Sequence, residues 1–257
     1  NKKKLNILIV AYACEPYKTS EPGVGWNFSQ EVSSFSNLTV LTRFNNKKNI
    51  NNTNSNPIKY IYYDLPSLFL FLKKRVPFGT QLYFILWQWG AYLMLRKYFK
   101  SNPIDLLHHL NFSIKWNPPP FFMIDKPILW GPVGGADLIP FNFLKKMGYR
   151  AIMNEGLYFF INLLSRLSIV SYSKNLKAIV LRTNSLFNQF KKRNFNNILV
   201  ISETASKEIE SISFKKKNLN QELYAVCVGR LNYWKGFFLA VKGFHSFLEN
   251  GGIGKLE

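Results

Sequence analysis

The chain has 257 residues, 47% of them hydrophobic and 16% aromatic, and a formal net charge of +20. That length can bury one large core or two modest ones, and the composition excludes a disordered chain. Two distant cysteines, Cys14 and Cys227, exclude a disulfide framework; with no charged-then-apolar leader after Asn1, a reducing, cytoplasmic setting is expected.

In chain order, residues 5–13 read as a buried parallel strand, because Leu5-Asn6-Ile7-Leu8-Ile9-Val10-Ala11-Tyr12 is apolar almost throughout. A loop holding Glu15, Glu21, Gly23 and Gly25 follows. From Trp26 the pattern turns helical, with Phe28, Val32 and Phe35 at i, i+4 and i+7 from Phe28 onward. Gly23 and Gly25 are expected to open that helix, so that backbone N–H groups approach a ligand at its amino end. The spacing is not the G-x-G-x-x-G dinucleotide fingerprint, and the loop is too long for that turn.

Further strands are predicted at 38–42, 58–63, 104–110, 128–131, 178–183 and 198–202, with helical patterns between most of them. Such alternation predicts a doubly wound parallel sheet. The Asn/Lys-rich stretch 45–57 reads as a surface loop. Asn117-Pro118-Pro119-Pro120 breaks any helix and starts a new one, and 141–173 has room for two helices. Residues 206–221 are polar, carry Lys215-Lys216-Lys217, and read as a connector. A fresh strand at 223–228 begins a second α/β unit; its helix runs over roughly 236–249 and stops at Asn250-Gly251-Gly252. One βα unit cannot bury a parallel strand on both faces. The expected organisation is therefore a first domain over 1–205, a linker over 206–222, and the start of an incomplete second domain over 223–257.

The charge is unevenly placed. No acid lies between Asp64 and Asp105, where Lys73, Lys74, Arg75, Arg96, Lys97 and Lys100 do lie, and none lies between Glu155 and Glu203. The same segments hold the most apolar runs, a pairing that suits an anionic membrane surface. A plain surplus of solvated Lys and Asn is the alternative; nucleic acid, the other usual partner of basic charge, is not expected. No run reaches the ~18 uninterrupted apolar residues of a spanning helix, since Gln88 and Gly90 interrupt the best candidate.

Four places carry chemistry. At Val228-Gly229-Arg230-Leu231 an apolar run stops at a glycine, and Lys235-Gly236 precedes a helix. Two cations at the carboxyl end of a strand suit a phosphate-bearing ligand; a solvated basic turn is the bland reading. His108 and His109 end a strand and point to opposite faces, so at most one faces a cleft; a structural histidine is the alternative. Gly134-Gly135-Ala136-Asp137 lets backbone approach a substrate or is a plain turn. Glu15 and Glu21 bind acceptor hydroxyls or are merely solvated. No His/Cys/Asp cluster has metal-ligand spacing.

Together these segments resemble a known family. Glu15-Pro16-x5-Pro22-Gly23-Val24-Gly25-Trp26, the Asp105-Leu106-Leu107-His108 strand end, Trp130-Gly131-Pro132-Val133-Gly134-Gly135, and Gly229-Arg230-Leu231-x3-Lys235-Gly236 resemble, in order, motifs of the retaining two-domain glycosyltransferases of glycosyltransferase family 4, the group 1 transferases. The resemblance implies a GT-B architecture of two Rossmann-like domains, an acceptor-binding first domain and a nucleotide-sugar-binding second one. It implies a catalytic place for His108 or His109, donor diphosphate contacts from Arg230, Lys235, Gly23 and Gly25, and acceptor or sugar contacts from Glu21, Gly134 and Gly135. It implies no metal or cofactor, a saccharide or lipid-linked acceptor, retention of configuration, and a role in cell-surface polysaccharide or glycolipid synthesis. The family's second domain ends in a Glu-x7-Glu motif that this chain does not reach, so the fragment is expected to be inactive by itself. A non-catalytic nucleotide-binding module, or a basic membrane-surface protein with a degenerate site, is the other reading.

Overall fold

A computed structural model describes residues 4–53, 57–76, 78–135, 137, 139–145, 147–168, 174–191, 195, 197–202 and 222–257. The connector predicted over 206–221 lies outside them. The described residues form two compact units, 1–137 with 162–205, and 138–161 with 206–257.

The first unit is built on a seven-stranded parallel sheet: β1 (Asn6–Val10), β2 (Asn37–Thr42), β3 (Lys59–Tyr62), β4 (Leu106–His109), β5 (Ile128–Val133), β6 (Leu176–Leu181) and β7 (Ile198–Val200). The order β3-β2-β1-β4-β5-β6-β7 reverses direction between β1 and β4, as a doubly wound Rossmann-like sheet does. In register, Ile9 pairs with Val40 and His108, and Val10 with Leu41 and His109.

Because strand side chains alternate, β1 feeds two separate cores. Ile7, Ile9 and Ala11 pack with Trp26 and Val32 of α1 (Ser20–Phe35). Leu8, Val10 and Tyr12 pack with Trp87, Ala91 and Leu95 of α4 (Gly79–Tyr98), along with Leu107, Ile128 and Trp130. Every β1 residue after Asn6 is at most 6% exposed, which is why the strand is apolar on both sides. Trp87 is fully buried and its Nε1–H donates to the Tyr63 carbonyl at 2.8 Å, so the large ring is also polar-satisfied.

Two local expectations are corrected. The helix expected from Trp26 begins at Ser20, so Gly23 and Gly25 lie inside it rather than ahead of it. The expected 45–57 loop contains a 3-10 turn, Phe44–Asn46, and a short α2, Lys47–Asn51, held down by Ile50 at 3% exposure. A single buried isoleucine in a polar stretch is a weak periodic signal, and tertiary burial outweighs it.

The second unit pairs β8 (Leu223–Ala225) with β9 (Gly254–Leu256) in parallel across α8 (Phe237–Glu249). Residues 138–161, placed with the first domain on sequence, group with this unit. They include α5 (Phe141–Leu144) and most of α6 (Tyr149–Ser168). The link is specific: Glu155 of α6 accepts from Tyr233 Oη at 3.0 Å and from the Ile139 N–H at 3.3 Å. Burial, then the Glu155 carboxylate, pushes the Tyr233 hydroxyl up to about 12, so it stays a donor. Among the described residues no helix is long and apolar enough to cross a membrane.

Candidate functional site

In the first unit the loops after β1, β4, β5 and β6 meet at the carboxyl edge of the sheet, beside the switch point where such sheets bind ligands. Hydrogen bonds lace them together. The Asn111 amide donates to the carbonyls of Ala13 and, at 3.1 Å, Glu21. The Glu21 carboxylate accepts from the Phe112 N–H at 3.1 Å and pairs with Arg182 at 2.8 Å. Arg182 Nε also donates to the Pro132 carbonyl at 3.3 Å. Asp137 accepts from the hydroxyls of Thr183 and Ser185.

The glycines make this closeness possible. A Cβ on Gly23 would run into the Lys18 carbonyl, and one on Gly25 into the Ala13 carbonyl and the Asn111 amide. Gly134 uses both backbone groups on the neighbouring loop, its N–H on Ser113 and its carbonyl on the Lys115 N–H, each at 3.0 Å. Gly135 adopts φ +82°, the left-handed region where a Cβ is strained. Glu21 and Gly134 thus tie neighbouring loops to one another along the edge where substrate was expected. Gly25→Ala is expected to cost about 2–3 kcal/mol of unfolding free energy by overpacking. Gly156→Ala, in α6 with open space around it, is expected to stabilise by about 0.5–1 kcal/mol. Urea midpoints of the two variants check this; a silent Gly25→Ala contradicts the tight contact.

The histidines face opposite layers, as alternation requires. His108 lies on the α1 side, its ring edge-on to Phe28 with centroids 5.1 Å apart, and its Nε2–H donates to the Gly131 carbonyl at 2.7 Å. His109 lies on the α4 side, among Phe121, Gln88 and Ser113. The Gln88 Nε2 donates to His109 Nε2 at 3.4 Å, which leaves Nδ1–H to donate to Ser113 Oγ at 3.1 Å. Asn117 donates to Gln88 Oε1 at 3.0 Å and completes the chain. Exposures are only 3% and 1%. Burial lowers His108 to about 4; burial, then the charge of His108, lowers His109 to about 3. Both rings are neutral at neutral pH, with both nitrogens of His109 and Nε2 of His108 bonded to protein groups.

A second polar cluster sits at the ends of β2 and β3. Arg43 pairs with Asp64 at 2.7 Å, and Asp64 also accepts from Tyr83 Oη at 2.7 Å and the Phe44 N–H at 3.1 Å. The guanidinium lies 5.2 Å from the Tyr12 ring centre and 5.1 Å from that of Tyr83.

In the second unit the Gly229-Arg230-Leu231 segment leads into a 3-10 turn, Tyr233–Lys235. Gly236 follows at φ +73°, and α8 starts at once. Arg230 and Lys235 are both exposed. Two turn bonds, Asn232 N–H to the Arg230 carbonyl at 2.7 Å and Lys235 N–H to the Asn232 carbonyl at 3.0 Å, hold the two cations on one short loop. An open cavity of about 420 Å³ beside it is lined by Met147, Gly148, Leu231, Tyr233, Phe237 and Phe238.

Sequence reasoning missed Arg182 and Gln88 as site-shaping residues and gave Asn111 no role. Signals were present: a cation directly after an apolar strand, and a glutamine inside the most apolar helix. Cys14 is fully buried, and burial pushes its thiol up to about 12, which makes it inert. Among the described residues no three His, Cys, Asp or Glu side chains gather as a metal site would require.

Fold and site together define a Rossmann-like α/β unit with a laced switch-point edge, followed by a βα segment whose turn presents two cations. No family model matches the chain. No curated protein matches it. Among solved structures it is similar to CalG4, the calicheamicin glycosyltransferase, at 12% identity and TM-score 0.43 over 90% of this chain. The match spans 59% of CalG4's length. At that identity the likeness bears on no residue and no substrate.

Proposed function

We infer that the whole protein is a glycosyltransferase of the GT-B kind, transferring a hexosyl group from a nucleotide sugar to a saccharide or lipid-linked acceptor with retention of configuration. The setting of this reading is the cytoplasmic side of a membrane, in cell-surface polysaccharide or glycolipid synthesis. The observation that carries it is the turn from Gly229 to Gly236. It puts Arg230 and Lys235 on one loop at the amino end of the 13-residue α8, where free N–H groups and the helix dipole favour an anion.

In the reaction, the bond from the anomeric carbon to the diphosphate oxygen breaks, one to the acceptor oxygen forms, and the acceptor hydroxyl's proton passes to the departing diphosphate. Negative charge grows on the departing nucleoside diphosphate. Arg230 offers it forked N–H donors and Lys235 a point charge, both strengthening as that charge develops. The aromatic lining beside the turn suits the flat face of a base or the apolar face of a sugar. The edge shaped by Gly134 and Gly135 holds the acceptor. His108 and His109 serve as positioning residues: neutral and buried, they hold the Gly131 carbonyl and the Ser113 loop. No metal enters this scheme.

Titrating nucleoside diphosphates and nucleotide sugars against the whole protein, with mass analysis of products, tests it. Saturable binding with sugar transfer is the expected result. Binding without transfer assigns the alternative, a non-catalytic nucleotide module; no binding of any nucleotide overturns both.

A further inference from the structure

We propose that the surface of α3 (Ser67–Arg75) and α4 is a docking face for an anionic lipid bilayer. The helix α3 has no fully buried residue, although its sequence, Ser-Leu-Phe-Leu-Phe-Leu-Lys-Lys-Arg, is apolar for five positions in a row. Phe69 and Leu70 turn partly to the core. The opposite stripe, Leu68, Phe71 and Leu72 at i, i+3 and i+4, stays 62%, 51% and 40% exposed. A helix apolar on both sides at a protein surface has a second apolar neighbour to find.

The connection to α4 points the same way. Phe78 is 71% exposed and holds φ +56°, a left-handed conformation that a bulky residue adopts only when its surroundings impose it. In α4, Leu82, Trp89 and Leu93 are about half exposed at i, i+7 and i+11, one stripe of the helix.

Charge selects the occupant. Lys73, Lys74 and Arg75 close α3, and Arg96 and Lys97 close α4. No acid occurs from residue 65 to residue 104, and Asp64, which meets α4 at Tyr83, is paired with Arg43, so the bases that close the two helices carry a clear excess of positive charge. A protein partner's groove has no need of so uniform a charge. An anionic bilayer matches it, taking the aromatic and aliphatic side chains at the headgroup boundary and the long basic stems as snorkelling anchors. The proposal stands on exposure and charge and needs no sugar transfer. Turnover without vesicle binding defeats it alone, and vesicle binding without turnover defeats only the transferase reading.

The test is co-sedimentation of the full chain with vesicles of phosphatidylcholine, with and without phosphatidylserine, over a salt series. Strong sedimentation with phosphatidylserine vesicles at low salt, falling steeply as salt rises, is expected. Each base contributes about fivefold to partitioning, so Lys74→Ala with Arg75→Ala is expected to weaken it about thirtyfold. Phe71→Ser is expected to weaken it about tenfold, with only a small fall in the unfolding midpoint because half of the ring is exposed. Lys48→Ala, in α2, is the control and is expected to bind as the parent does. Equal binding to uncharged vesicles, no binding at low salt, or parental binding by the α3 variants overturns the proposal. So does a chain that sediments as a dimer, loses that state with Phe71→Ser, and ignores vesicles; the face then belongs to a second copy. Polynucleotide binding lost in the same variants, without vesicle binding, likewise overturns it.

Discussion

Replacing Arg230 by alanine is expected to lower turnover of the whole protein about a hundredfold, while leaving its stability within about 0.5 kcal/mol. The side chain is exposed, so its loss opens no cavity. Its proposed contact strengthens as the leaving diphosphate gains charge, and removal of one such charge-assisted donor costs on the order of 3 kcal/mol in the transition state. Lys235→Ala is expected to act in the same direction. The double variant is expected to lose less than the two single losses added, because both cations serve one phosphate pair and are coupled through it. Lys177→Ala, whose Nζ only caps the Lys174 carbonyl at 3.1 Å, is the control. Steady-state kinetics at saturating and limiting donor separate kcat from KM. Full turnover and unchanged donor affinity in Arg230→Ala would remove the diphosphate assignment.

A second large effect concerns acid. His108 titrates near 6.5 in the unfolded chain and at about 4 in the folded one, because burial disfavours the imidazolium. As pH falls below 6.5 the unfolded state takes up a proton that the folded state refuses. The stability tied to the neutral ring is therefore complete above about 6.5 and is lost progressively until pH passes about 4. The difference amounts to about 3 kcal/mol for His108. His109, lowered to about 3 by burial and by His108, adds a loss of the same sign. Urea unfolding at neutral pH and near pH 5 reads the slope directly. His109→Gln is expected to flatten it, since an amide can stay in the pocket without titrating. A slope identical in parent and variant would show that His109 contributes nothing to the acid response.

The strands of the first unit were legible because each is an apolar run ended by a polar or glycine residue, and a strand buried on both faces leaves that signature. Seven of them, found within a few residues of their bounds, already imply a parallel sheet with helices on both sides. Helix starts were less legible. Ser20-Glu21-Pro22-Gly23-Val24-Gly25 is a poor helix sequence by propensity, yet α1 begins there, because loop contacts at Ala13, Lys18 and Asn111 close on glycines that carry no Cβ.

The site divides along the same line. The cations at Arg230 and Lys235, the paired histidines and the glycine loops are chemistry written in residue type and local spacing, and they could be named from the chain alone. Which of them meet, and what they meet, depends on contacts between residues far apart in sequence. The Glu21–Arg182 pair spans 161 residues and the Asn111–Ala13 bond 98. No local period encodes such pairs. Only folding the sheet brings the loop ends together, pairing Glu21 with Arg182 and burying His108 and His109 with their hydrogen-bond partners.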